Sequence, residues 1–305
     1  MRVLVTGGAG FVGSHVVDCL LTNGADVVVV DNLSHGLKSQ VSPQAGFIQG
    51  DVLKSGEWLP RVGRVDALIH LAAQINVSRS EQYPQDDVRL NVLGTVEMLQ
   101  AARGLGCREF RFASSAAVYG DNPRVPLDEA EVPAPLSYYG LDKWVAESYV
   151  RHEDESGRLS GTILRLANVY GPRQRTQGEG GVVAIFSQAL TAGEIPIMDG
   201  DGRQTRDFIS VRDVARAFCH RLGESGHGGL YNIGTQTATS VSELWRRLAI
   251  EAAVPTDKIK TGPPRAGDIR HSRLKIQRAE RWGFHPQVSL RQGLRETLSW
   301  FRDHG

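Results

Sequence analysis

The sequence predicts an α/β protein, with a doubly wound parallel sheet in the first half and a smaller α/β unit after it. Three observations predict it. Short Val/Ile/Leu-rich runs alternate with amphipathic stretches, the first run ends in a glycine-rich turn, and a helical pattern follows that turn at once. Strands covered by helices on both faces read as continuous apolar runs rather than as alternating ones. In chain order the expected strands are Arg2–Thr6, Val27–Asp31, Gly46–Gln49, Ala67–Ala72, Glu109–Ala113 and Thr162–Leu166. Between them, the amphipathic stretches Phe11–Asn23, Asp86–Gly104 and Tyr138–His152 are expected helices. After Gly171 the pattern changes: glycine-rich loops at Gly178–Gly181 and Asp199–Gly202 frame a helix over Val183–Ala192. Further helices are expected at Val211–Leu222, Ser240–Ala252 and Leu290–Arg302, with Pro263-Pro264 breaking regular structure between the last two. The expected division is 1–166 and 167–305, interleaved at the boundary, with the second unit closing a cleft on the first.

Composition narrows the function. Lys and Arg number 35 against 34 Asp and Glu, a formal charge of +1, which argues against a dedicated binder of nucleic acid or anionic membrane. With 41% hydrophobic and 23% charged residues, the chain reads as a globular enzyme rather than a disordered or collagenous one. Cys19, Cys107 and Cys219 are far apart and odd in number, so they read as small core residues, not as a disulfide framework or metal cluster. No apolar run reaches the roughly 18 residues of a membrane-crossing helix. The Met1-Arg2 start meets glycines before an apolar signal segment could form, so a reducing cytoplasm is the expected compartment. The nine histidines show no clustered or H-E-x-x-H spacing, and no metal site is expected.

The first chemistry-bearing motif is Gly7-Gly8-Ala9-Gly10-Phe11-Val12-Gly13, between the first strand and the first helix. Glycines spaced in this way let the backbone turn tightly and approach a pyrophosphate, while the helix N-terminus offers N–H groups and a positive dipole end. Such a turn alone is weak evidence. Here its required context is present, including an acid about 20 positions on. That acid, Asp31, can accept both ribose hydroxyls and would repel a 2′-phosphate. The residues after it, Asn32 to His35, lack the basic group of a phosphate pocket, so NAD is expected over NADP. Asp51 reads equally as an adenine-side contact or a turn residue.

The second motif is Tyr139-Gly140-Leu141-Asp142-Lys143, which places a phenol and an ammonium one helical turn apart on one face. Most such pairs are solvated. Ser115, 24 residues earlier at the end of an expected strand, completes a set able to take a proton from an alcohol during hydride transfer. The ammonium and a cationic nicotinamide ring would both favour phenolate.

At this point the chain resembles a known family. Thr6-Gly-Gly-Ala-Gly-Phe-Val-Gly-Ser-His15, Asp31-Asn-Leu-Ser34, His70-Leu-Ala-Ala73, Ser114-Ser-Ala-Ala-Val-Tyr-Gly120, Tyr139–Lys143 and Gly200-Asp-Gly202 through Arg206-Asp-Phe208 are similar to motifs of the extended short-chain dehydrogenase/reductases. Within these, the match is to NAD-dependent nucleotide-sugar epimerases of the UDP-glucose 4-epimerase type. The resemblance implies a Rossmann-type fold and a homodimer paired through the helices near Asp86–Arg103 and Tyr138–His152. It implies Tyr139 as general base on the sugar 4-hydroxyl, Lys143 as tuner of Tyr139 and holder of the nicotinamide ribose, and Ser115 as hydrogen-bond partner of the reacting oxygen. Gly7, Gly10, Phe11, Val12, Asp31, Asn32, Asp51, Val52, Leu71, Ala72, Ala73 and Asn91 match its NAD contacts.

On the substrate side, the resemblance assigns Arg206 and Arg265 to the diphosphate, Asp268 to the uridine ribose, Asn168 to the phosphates and Val182 to the uracil-side loop. Ser272 falls beside the C2 substituent, where a small residue leaves room for an N-acetyl group. Sugar dehydratases of the family carry an Asp-Glu pair after the serine, where this chain has Ala116-Ala117. Glucuronate epimerases share an arginine at Arg175 but use hydroxyls where this chain has Asn168 and Ala116. A catalytically silent NAD-binding relative would be expected to lack the Tyr or Lys; both are present.

Overall fold

Seven short apolar strands form one parallel sheet in the computed structural model, which describes residues 1–176, 180–224, 228–264 and 269–304. Its first half runs β1 (Arg2–Thr6), α1 (Phe11–Thr22), β2 (Asp26–Asp31), β3 (Gly46–Gln49), β4 (Ala67–His70), α2 (Val77–Gln82), α3 (Pro84–Val88), a π-helical turn at Arg89–Leu93, α4 (Gly94–Gly104), β5 (Glu109–Ser115), α5 (Tyr138–Glu155) and β6 (Ser160–Leu166). The rest runs β7 (Asn168–Tyr170), α6 (Val182–Thr191), β8 (Ile197–Asp199), β9 (Thr205–Ser210), α7 (Val211–Cys219), β10 (Gly229–Ile233), β11 (Ala238–Ser240), α8 (Val241–Glu251), β12 (Lys260–Gly262), α9 (Gln277–Trp282) and α10 (Leu290–His304).

The large sheet has the order β10-β6-β5-β4-β1-β2-β3, so the winding reverses between β1 and β4. Successive side chains of a strand face opposite sides. On β1, Leu4 therefore enters the core shared with Met98 and Leu99 of α4 and Val150 of α5. Val3 and Val5 enter the opposite core, with Val16, Val17 and Leu20 of α1 and Val214 and Phe218 of α7. Because both faces are covered, every residue of β1 must be apolar or hydrogen-bonded. This is why the run reads without alternation.

A third core lies outside the sheet, where α6, α8 and α10 pack Phe186, Trp245, Leu248, Leu294 and Leu298 against Phe208 and Tyr170. Beside it, β11, β9 and β7 form a small sheet that continues directly from the end of β6.

The structure departs from the sequence-based expectations in several places. The strand expected over Ala67–Ala72 stops at His70, because Leu71 turns to donate its N–H to the Thr6 carbonyl and opens the loop against the glycine turn. The single helix expected over Asp86–Gly104 is broken by the π turn, which carries Asn91. The edge strand β10, not among the expected strands, pairs in parallel with β6, from Gly229 opposite Thr162 to Ile233 opposite Leu166. The three cysteines pack as small core residues, Cys107 in the core under α4 and Cys19 and Cys219 against the core between α1 and α7.

Candidate active site

All the sequence-marked groups of the large sheet lie at the carboxyl ends of its strands, and the winding reversal opens the crevice there. Gly7 has φ +72°, and a Cβ on it would stand 2.6 Å from the Ala72 nitrogen. A side chain would thus push β1 and β4 apart at the crevice. A Cβ on Gly13 would stand 2.0 Å from the Gly7 carbonyl, so the first turn of α1 can sit on the loop only without one. Gly10 begins α1 with no side-chain cap, which leaves the N–H groups near Phe11 and Val12 for an anion. This cradle fits a dinucleotide pyrophosphate.

Asp31 does more than the sequence implies. Its Oδ2 accepts from Ala9 N–H at 3.0 Å and its Oδ1 from Leu33 N–H at 2.8 Å, tying the end of β2 to the glycine loop. A carboxylate has about four acceptor sites, so it keeps capacity for a ribose. Asp51 caps the following 3₁₀ turn through Leu53 N–H at 2.9 Å and takes Asn32 Nδ2 at 3.3 Å. Val52 points into the core, which leaves only its backbone toward the crevice. Asn91, 1% exposed, lies behind the loop after β4. Its Oδ1 accepts from Gln74 N–H at 2.9 Å and its Nδ2 donates to the Gln74 carbonyl at 3.0 Å. Asn91 therefore shapes the segment holding Leu71, Ala72 and Ala73. Its π turn is what brings its carboxamide inward.

Ser137 caps α5 by accepting from Gly140 N–H at 3.1 Å, and the Tyr139 N–H donates to Ser80 Oγ at 3.1 Å. Tyr139 is thereby fixed in the first turn of α5. Lys143, 3% exposed, lies one turn on, its Nζ donating to the Ala113 carbonyl at 2.9 Å. The same Nζ stands 4.8 Å from the Phe112 ring centre and 6.0 Å from that of Tyr139. Burial lowers the Lys143 pKa to about 8, against the opposing pull of Asp87, Glu147 and Asp142. Ser115 ends β5, opposite Leu166 of β6, and its Oγ accepts from Ala117 N–H at 3.1 Å. His70 at the end of β4 hydrogen-bonds Thr6 Oγ1 through Nδ1 at 2.7 Å; burial drops its pKa to about 3, so it stays neutral.

Sequence reasoning passed over the groups that support this trio. Glu147 receives Arg165 through a fork, with Nε at 2.8 Å and Nη2 at 2.7 Å, and also accepts from Ser114 Oγ. Asp87 and Asp142 are buried beside Lys143. On a helix written from sequence these acids look solvated, and only their coincidence with the Tyr139–Lys143 face could have marked them.

On the substrate side, three of the marked residues converge on the small sheet. Asn168 begins β7 opposite Phe208 of β9, and Arg206 lies two residues before that partner, its Nη1 donating to the Thr205 carbonyl at 2.9 Å. Ser272, nearly buried, donates its N–H to the same Thr205 carbonyl at 3.1 Å. Val182 begins α6. Arg265 and Asp268 lie outside the described residues. Arg175 is turned away from this group: its Nη1 donates to the His35 carbonyl at 2.9 Å, against the loop after Asp31.

A dinucleotide cradle at a winding reversal, with a fixed phenol, a buried ammonium and a strand-end hydroxyl beside it, defines an enzyme of the short-chain dehydrogenase/reductase class. Residues 3–234 match the NAD dependent epimerase/dehydratase family. The chain is 41% identical to the UDP-glucose 4-epimerase of Mycolicibacterium smegmatis over 99% of both chains. The UDP-glucose 4-epimerase of Thermotoga maritima, solved with UDP-glucose, superposes with a TM-score of 0.95 at 39% identity over 99% of both chains. The UDP-N-acetylglucosamine 4-epimerase of Methanobrevibacter ruminantium, solved with UDP-N-acetylmuramic acid, gives 0.94 at 32% identity, covering 100% of this chain and 99% of that one. This chain belongs to the NAD dependent epimerase/dehydratase family.

Proposed function

We propose that the protein is an NAD-dependent UDP-hexose 4-epimerase. The observation that supports the reading is the buried Lys143 Nζ set between the Tyr139 ring and the Ala113 carbonyl of β5, the strand that Ser115 ends, with Asn168 and Arg206 on the small sheet that follows β6. When bound, NAD would supply the acceptor, and in its reduced form the donor, of one hydride at sugar C4, with no net redox change. Gly7, Gly10, Phe11, Val12 and Asp31 would hold it. Tyr139, as the phenolate that the Lys143 charge favours, accepts the 4-hydroxyl proton as the carbon is oxidised and returns it afterwards. Ser115 orients the reacting oxygen. Arg206 and Asn168 hold the diphosphate, so the sugar can turn while the nucleotide stays fixed. Ala116-Ala117 supplies no acid or base for loss of water, which leaves dehydration without proton carriers.

Ser272 sets the sugar range in this reading. Its small side chain beside the strand that carries Arg206 leaves room at C2, so UDP-GlcNAc is accepted as well as UDP-glucose. A panel of UDP-glucose, UDP-GlcNAc and UDP-glucuronate, followed by NMR of the products, tests both points. Interconversion of the first two with their 4-epimers is expected and none of the third, since Arg175 is held at His35. No turnover of UDP-glucose removes the function, and turnover without UDP-GlcNAc removes the role of Ser272.

The same reading makes the protein a homodimer. Val88, Leu93, Leu141 and Tyr149 stand exposed on the α3-to-α4 stretch and α5, an apolar surface suited to a second copy. Light scattering at micromolar concentration is expected to give twice the chain mass, and charged substitutions at Leu93 and Tyr149 to halve it. A wild-type chain that runs as a monomer rules this out.

A further inference from the structure

Two carboxyl groups with no part in the mechanism above lie near the Lys143 ammonium. Asp87 on α3 is 0% exposed and Asp142 on α5 is 5% exposed, and their side chains are in hydrogen-bonding contact. The amide donors around them are not shared evenly. Gln74 Nε2 donates to Asp87 Oδ1 at 2.5 Å, and Asn91 Nδ2 donates to Asp87 Oδ2 at 3.2 Å. Asp142 Oδ2 is buried and finds no donor among the described residues. Two buried carboxylates in contact repel unless one carries a proton, and the donors single out Asp87 as the acceptor.

We infer that Asp142 is held as a carboxylic acid donating to Asp87, so that the pair presents one negative charge to Lys143 and fixes the first turn of α5 that carries Tyr139. Asp142 is thus a positioning residue for the proposed proton transfer, and in that respect the inference rests on the functional reading above. The charges facing the pair support the assignment. On α5, Lys143 is the one cation of the group, and Glu147 is matched by Arg165 of β6. From α2, Glu81 accepts from Tyr138 N–H and Arg79 pairs with Asp86. Arg103 of α4 pairs with Glu153, and Arg111 of β5 with Glu109. Among the described residues, Lys143 is the cation that acts on Asp142. Desolvation, joined by Asp87, pushes the Asp142 pKa up to about 7, against the pull of Lys143.

The sign of the pH effect follows. A carboxyl whose folded pKa exceeds its unfolded value of about 3.9 weighs on the folded state once ionised. That penalty is absent below the unfolded value, grows as the pH rises to the folded one, and stays complete above it. Asparagine at this position keeps the donor and cannot ionise.

Infrared difference spectra of the purified protein, wild type minus Asp142→Asn, provide the test. A protonated-carboxyl band is expected at about pH 5.5 and its loss by about pH 8.5, on either side of the Asp142 value. The melting temperature of Asp142→Asn is expected to gain on the wild type from about pH 4 to about pH 7 and then to hold a constant lead. Asp142→Ala is expected to lower kcat by about tenfold, equivalent to 1.36 kcal/mol, and Asp142→Asn to recover most of that loss. No protonated-carboxyl band at the lower pH, or a melting difference flat with pH, overturns the pair. Band and melting signals without turnover of any UDP-sugar would leave the pair standing and remove the functional reading instead.

Discussion

Replacement of Tyr139 by phenylalanine is expected to lower kcat for UDP-glucose by about a thousandfold, within the range that positioned proton transfer contributes. At 1.36 kcal/mol for each factor of ten this is about 4 kcal/mol of transition-state stabilisation. The substitution removes one oxygen and little else. The residue is held through its backbone N–H to Ser80 and by the Ser137 cap on α5, neither of which uses the phenol oxygen. Its ring still lies beside the Lys143 Nζ. KM and bound NAD are therefore expected to stay within about twofold of the wild type, because the loss falls on an interaction made only in the transition state. Steady-state rates with NAD content measured on the same preparation check this. A variant that keeps a tenth of the wild-type kcat would show that another group carries the proton.

The parts of this site visible in sequence are those whose chemistry demands a rare local pattern. The glycine turn is legible because backbone must touch backbone at Gly7 and Gly13, and only glycine permits it. Tyr139 and Lys143 are legible because helix geometry converts their spacing into a shared face. The strands of the first half are legible because burial on both sides leaves uninterrupted apolar runs. By contrast, β10 reads Gly-Leu-Tyr-Asn-Ile at a sheet edge, where an asparagine is tolerated because Asn232 donates to the Leu127 carbonyl and accepts from Tyr119. That satisfaction comes from residues more than a hundred positions away and leaves no local trace. The supporting acids are hidden for a related reason. On α5 the buried face carries Asp142, Lys143, Glu147 and Glu153 together with Ala146 and Val150. A periodicity argument assigns charges to the solvent side, and here the inward stripe is itself ionic.

That inward stripe makes Glu147 the most vulnerable position outside the chemistry. Glu147 and Arg165 are 0% and 1% exposed. The guanidinium also lies over the Tyr119 ring at 4.7 Å, linking α5 and β6 to the segment that follows β5. Replacement of Glu147 by leucine strands that guanidinium in the core, at a cost of about 3–5 kcal/mol. Native domains have only about 5–15 kcal/mol in hand, so roughly a fifth or more of the stability is at stake. The melting temperature is expected to fall by roughly 5–15 °C. Combining Glu147→Leu with Arg165→Met is expected to recover most of that fall, because exchanging a whole buried pair for apolar groups is often neutral. Catalysis should not recover with it. The charge of Glu147 helps to hold the Lys143 ammonium against burial, and the double variant is still without it. Thermal melts and kcat measured on both variants separate the two effects. If the double variant melts no higher than the single one, the buried pair is not what Glu147 contributes to stability.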